Sequence, residues 1–175
     1  METRITGPHK AIDYKSAFYE AQAYFTASVE INKKLQSVMS SNYLEEDVLP
    51  LRNAEYVNHA FALEQLLKCI MIAENKEYYR GHNLFRLFAK LNSSTQTKIA
   101  FSYNRLNPIR YKSDLSECES ITLESVLKEG GNSFMGLRYT FEPHYQAPRY
   151  NLDMAADLIV NYILLIKPEL KCTVA

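Results

Sequence analysis

Along most of the chain, apolar residues recur every three or four positions. No segment alternates with period two over a useful length, so the pattern predicts helices and no sheet. Asp13 reads as an N-cap, and Phe18, Ala21, Phe25, Ser28, Ile31, Leu35 and Val38 mark one face of a long first helix that stops at Ser40-Ser41-Asn42. A second helix is expected to begin just after Pro50, since proline suits a first helical turn, and to run to Asn75. Between positions 60 and 73 it is apolar on nearly every side, which predicts a central place in a bundle. The run GHNLFRLFAKL predicts a short third helix capped by His82 or Asn83, with Leu84, Leu87, Phe88 and Leu91 turned inward. Ser93-Ser94-Thr95-Gln96 reads as a capping box for a fourth helix with the stripe Ile99, Tyr103 and Leu106, stopped by Asn107-Pro108. A short helix over 122–129 is expected to end at Gly130-Gly131, and 132–150 to form an ordered loop. Asn151 should cap a last helix with Leu152, Ala155, Ile159, Tyr162 and Ile166 on one face and Pro168 just beyond. The expected fold is therefore all-α, an antiparallel up-and-down bundle of four to six helices, with a flexible arm at 1–12 and a single domain over 13–170.

Composition narrows the classes. The 175 residues are 47% hydrophobic and 23% charged, and 20 basic side chains balance 20 acidic ones. That balance argues against a general binder of nucleic acid or membrane surfaces but leaves room for a local patch. Cys69, Cys118 and Cys172 are widely spaced and odd in number, which suggests reduced thiols in the cytoplasm rather than disulfides or a zinc knuckle. The N-terminus lacks the apolar core of a signal peptide. The apolar stretch at 60–73 is shorter than the roughly 20 residues needed to cross a bilayer and is broken by Glu64, Gln65 and Lys68, so a cytoplasmic protein without a membrane span is expected. No phosphate-binding glycine loop, dinucleotide fingerprint or serine-hydrolase elbow is present. His9, His59, His82 and His144 include no H-x-x-x-H pair, so neither a metal nor another cofactor is expected. The thirteen scattered tyrosines read as core residues with a hydroxyl to spare for interhelical hydrogen bonds.

One polar constellation stands out. Glu64 and Lys68 lie four residues apart on the most apolar helix, with Phe61 and Met71 on the same face. Charges near a core are kept when paired and hydrogen-bonded, so further partners are expected, with His82, Arg138 and Glu142 the natural ones. The cluster has two readings. It is a salt-bridge network that locks the long loop onto the bundle, or a polar pocket for a phosphate or nucleotide with Lys68 and Arg138 as anion ligands.

At these residues the chain resembles uncharacterised bacterial proteins of the HEPN superfamily. Their pattern is an AFA-x-E-x-x-x-K helix, a GH-x-L-x-x-L segment and an RY-x-x-E element before the last helix. It is matched here by Ala60, Phe61, Ala62, Glu64 and Lys68, by Gly81, His82, Leu84 and Leu87, and by Arg138, Tyr139 and Glu142. The order of these motifs spans about residues 57–166. The resemblance implies a HEPN-like helical bundle, a homodimer, and Tyr139 as a further member of the polar network. It also implies either a non-catalytic module that binds RNA, nucleotides or a partner protein encoded nearby, in a prokaryotic defence, toxin–antitoxin or stress system, or a metal-independent endoribonuclease. The nucleases of the superfamily carry an R-x4–6-H motif, whose arginine stabilises phosphate charge while its histidine assists attack by a ribose 2′-hydroxyl. Two pairs meet that spacing as candidate catalytic residues. Arg52 and His59 have six residues between them and share a helix face; Arg138 and His144 have five between them, with Pro143 interrupting a continuous helix. An antitoxin-like or scaffold partner is a third possibility, which would show a large exposed apolar patch.

Overall fold

The computed structural model describes residues 13–41, 44–75, 79–110, 121–136 and 152–173. They form α1 (Tyr14–Met39), α2 (Glu45–Asn75), α3 (Leu84–Phe88), α4 (Ser93–Arg110), α5 (Leu123–Gly136) and α6 (Asp153–Ile166), then a 3₁₀ turn, Pro168–Thr173. The all-α expectation is met. Asp13 sits in extended conformation and accepts the Lys15 N–H at 3.0 Å, as an N-cap should, and the helix it opens ends at Met39 with Ser40 as C-cap. Phe18, Ala21, Ser28 and Leu35 of the predicted stripe are buried.

α2 is the central element. Ala62, Leu66 and Cys69 are buried on one side of it and Leu63, Leu67 and Met71 on another, while Glu64 and Lys68 are buried on a third. Sequestering apolar surface on all sides makes the helix the shared wall of the core, and the hydrophobic cluster draws on every helix and on Leu170 of the 3₁₀ turn. No described helix is long and apolar enough to cross a membrane. The pairs Tyr24/Phe61, Ser28/His59 and Asn32/Glu55 show α1 and α2 running antiparallel. α6 runs antiparallel to α1, since Tyr14 near the start of one meets Glu169 just beyond the end of the other. α2 and α6 are therefore parallel: Glu55 and His59 share a cavity with Asp153 and Asp157, whereas Cys69 feels the charge of Lys167.

Four local expectations are corrected. α2 begins at Glu45 and carries Pro50 within it despite the lost backbone hydrogen bond, with Val48 of the added segment buried. α4 continues through Asn107-Pro108 to Arg110, and Leu106 of its predicted apolar stripe is exposed, although Ile99 and Tyr103 are buried as expected. α5 passes through Gly130 and Gly131 to Gly136, so residues 132–136 are helix rather than loop. A Cβ on Gly130 would stand 3.0 Å from Leu152 Cδ2, and one on Gly131 2.9 Å from Asn83 Nδ2. The glycines serve close approach rather than helix termination. Finally, the expected capping box at 93–96 is replaced by a cap from α2: Glu74 accepts the Asn92 N–H at 3.1 Å and the Thr95 hydroxyl, and Thr95 also bonds Tyr162 of α6 at 2.9 Å. The Gln96 side chain turns instead to the carbonyls of Ala89 and Leu91. A reciprocal box does open α5, where Thr122 and Ser125 exchange side-chain and backbone bonds. Asn83, one of the two expected caps, opens α3 by accepting the Arg86 N–H at 2.9 Å, and Leu84, Leu87, Phe88 and Leu91 are buried. The arm at 1–12 and Asn151 lie outside the described residues.

Because Glu74 caps α4 from α2, Glu74→Ala should cost about 2 kcal/mol by removing the acceptor of the Asn92 N–H and of the buried Thr95 hydroxyl, which lowers Tm by about 4–8 °C in a protein of this size. Glu124→Ala, which removes a surface partner of Lys128, should cost no more than about 0.5 kcal/mol. Thermal melts of the two variants check this, and equal Tm values would contradict it.

Candidate functional site

The buried side of α2 that carries charge organises the site. Glu64 is 4% exposed and Lys68 9%. The Lys68 ammonium donates to Glu64 Oε1 at 2.6 Å, and His82 Nδ1 meets Glu64 Oε2 at 2.9 Å. An ionised carboxylate only accepts, so the Nδ1 proton lies on the histidine side and the ring is held in the Nδ1–H tautomer when neutral. His82 stands just before α3, and its side chain is two-thirds exposed while that of Glu64 is 5% exposed. A buried carboxylate thus carries a lysine on one oxygen and orients a solvent-reachable imidazole with the other. This arrangement can hold an imidazole ready to exchange protons or, when charged, to donate to an anion. Structure and sequence meet here: three of the side chains expected to converge do so. Arg138, Tyr139 and Glu142, expected in the same cluster, lie outside the described residues, as does His144.

The other histidine of interest faces a different place. His59 is 6% exposed and packs edge-on against Phe25 of α1. The Ser28 hydroxyl donates to the Phe25 carbonyl at 2.7 Å, so toward His59 Nε2, 3.1 Å away, it accepts. The serine proton is therefore committed to the backbone, and the pair is not an activated serine nucleophile. Arg52, seven positions earlier, is exposed and about 10 Å away along the helix axis. His59 forms part of the wall of a groove of about 320 Å³ between α1, α2 and α6, together with Glu55, Asp153 and Asp157. Burial pushes the His59 pKa below its usual value, and Glu55, Asp153 and Asp157 offset part of that shift. The groove was not evident from sequence. Its one legible signal is the i, i+4 pair Asp153 and Asp157, which shares a face of α6.

Cys69 is buried within the core, and burial raises its thiol to about 12, so it is inert as a nucleophile. Among the described residues, no group of three or more His, Cys, Asp or Glu side chains is arranged to hold a metal ion. No family model, curated protein or solved structure matches the chain.

Two measurements check these assignments. Lys68→Ala strands a buried carboxylate and should cost about 3 kcal/mol, whereas the paired replacement Glu64→Leu/Lys68→Met should recover at least half of that loss. Chemical denaturation of both variants reads it, and an unchanged midpoint in Lys68→Ala would refute burial of the pair. His59 has a folded pKa below the unfolded value of about 6.5, so the unfolded chain binds the extra proton in the window between them. Its stability contribution is complete above about 6.5 and is lost as pH falls from there toward the folded value. Glu55, Asp153, Asp157 and Lys33 face the same groove and moderate the effect. Tm should fall between pH 7 and 5.5, and His59→Gln should flatten that slope; an equal slope in the variant would count against the assignment.

Proposed function

We propose that this protein is a HEPN-like helical binding module whose Glu64–Lys68–His82 site receives a phosphate-bearing ligand, a nucleotide or an RNA. The observation that carries the reading is the exposed imidazole of His82 fixed by the buried carboxylate of Glu64. When protonated, a histidine held at Nδ1 donates from Nε2 in a set direction, which favours a directed contact with an anionic oxygen over diffuse surface attraction. The order of the three motifs supports the HEPN-like assignment, and with it a homodimer working in a prokaryotic defence, toxin–antitoxin or stress system.

Endoribonuclease activity is the second reading, motivated by the two arginine–histidine spacings. At Arg52 and His59 the groove chemistry opposes it, because Glu55, Asp153 and Asp157 line the same space and repel a phosphodiester. The reading then rests on Arg138 and His144.

Binding is tested by fluorescence anisotropy with a labelled single-stranded RNA and by competition with unlabelled nucleotide. His82→Ala should weaken binding about tenfold, equivalent to one charge-assisted hydrogen bond, measured at a temperature where thermal melts show the variant folded. Equal affinity of variant and wild type would contradict the reading. Incubation of the same RNA with the protein in EDTA separates the two functions. RNA left intact supports the binding module, and cleavage lost in His144→Ala establishes the nuclease.

A further inference from the structure

The charge of this chain is balanced only as a whole. Between residues 78 and 113 there are seven basic side chains, from Arg80 to Lys112, and no acidic one. The rest of the chain consequently carries an excess of seven acidic residues. The segregated stretch contains α3 and α4, and Arg80, Arg86, Lys90, Lys98 and Arg105 are all exposed there.

Beside these cations lies a groove of about 400 Å³ between α3, α4 and α5, where Phe85, Phe88 and Ala100 share the walls with the polar Thr97, Thr122 and Glu124. On α4, Lys98, Phe101 and Arg105 fall at helical spacing and share one face, next to the side that carries Ala100 and Asn104 into the groove. Phe101 is 65% exposed. An aromatic ring with a cation on either side, beside a pocket sized for a large side chain, is a surface that both apolar and anionic groups can satisfy together.

Two classes of polyanion could use the charge, and the aromatic rings decide between them. A single-stranded nucleic acid takes successive stacking platforms, but Lys90 Nζ already sits 4.7 Å over the Tyr79 ring and Lys128 Nζ 4.8 Å over the Phe85 ring, which leaves Phe101 as a single open ring on this face. No lysine or arginine lines the groove itself, and Glu124 on its wall repels a phosphate. An acidic amphipathic peptide fits both features, with an apolar anchor in the groove and carboxylates on Lys98, Arg105 and Arg86. We propose that the α3–α4 face docks an acidic amphipathic segment of a partner protein. This surface is distinct from the Glu64–His82 site and goes beyond the ligand proposed there.

Selection of a phage-displayed peptide library on the full protein tests the proposal. The expected result is enrichment of peptides rich in Asp and Glu around one or two Leu, Phe or Trp anchors. Synthetic copies of the enriched peptides should lose about tenfold in affinity for Lys98→Glu/Arg105→Glu and for Phe101→Ser, and nothing for Lys34→Glu on α1. Folding of the variants is verified by thermal melts, and all four changed positions are exposed. Enriched peptides without acidic residues, affinity unaffected by either α4 variant, or no enrichment over the charge-reversed protein would each overturn the proposal. So would displacement of a bound peptide by an equimolar 12-nucleotide oligouridylate, which would reassign the face to nucleic acid. Because RNA binding at the His82 site is read by His82→Ala, failure of either proposal is visible without the other.

Discussion

A single buried carboxylate sets the terms for the candidate site. Glu64 lies on the most apolar helix of the molecule, where an unpaired charge would cost several kcal/mol, and it is retained with a partner on each oxygen. Lys68 comes from the same helix at the spacing that lets side chains meet, whereas His82 comes from the segment leading into α3. The second contact therefore does more than neutralise charge. It ties the approach to α3 to the centre of the bundle and fixes the orientation of a ring that solvent reaches. Stability and chemistry depend on the same atoms, so a change at Glu64 disturbs both.

The two histidines most exposed to functional interpretation are held in opposite ways. His82 is an exposed ring on a buried anion; His59 is a buried ring bonded to a serine whose proton points elsewhere. Burial favours the neutral form of His59, and the carboxylates across its groove only soften that preference. The acidic groove around His59 and the basic face of α3–α4 also divide the surface electrostatically. A protein with no net charge can in this way present two surfaces that select ligands of opposite sign.

The helices themselves were legible because their stripes and caps are local. Asp13, Asn83 and the apolar run of α2 each do what their sequence neighbourhood implies. Pro50, Asn107-Pro108 and Gly130-Gly131 read as helix breakers, yet each lies inside a helix, and at the glycines the close approach of Leu152 and Asn83 shows why. The α4 cap was assigned to Gln96 of the same helix, but Glu74 of α2 supplies it, a partner about twenty positions away that no local motif announces. At the site, Glu64 and Lys68 were legible as an i, i+4 pair in an apolar setting, and His82 as their neighbour. The Ser28–His59 bond and the groove beside it were not, since they arise only when α1, α2 and α6 come together.

The central claim is that Glu64 holds His82 through Nδ1, and the tautomer of that ring is its most direct readout. Long-range ¹⁵N–¹H correlation spectra of the histidine side chains, recorded on the alkaline side of the imidazole titration, distinguish the two neutral forms. The account predicts the Nδ1–H form for His82 in the wild type, and its loss in Glu64→Leu. A wild-type His82 in the Nε2–H form, or averaging between the two as a free imidazole does, would contradict it.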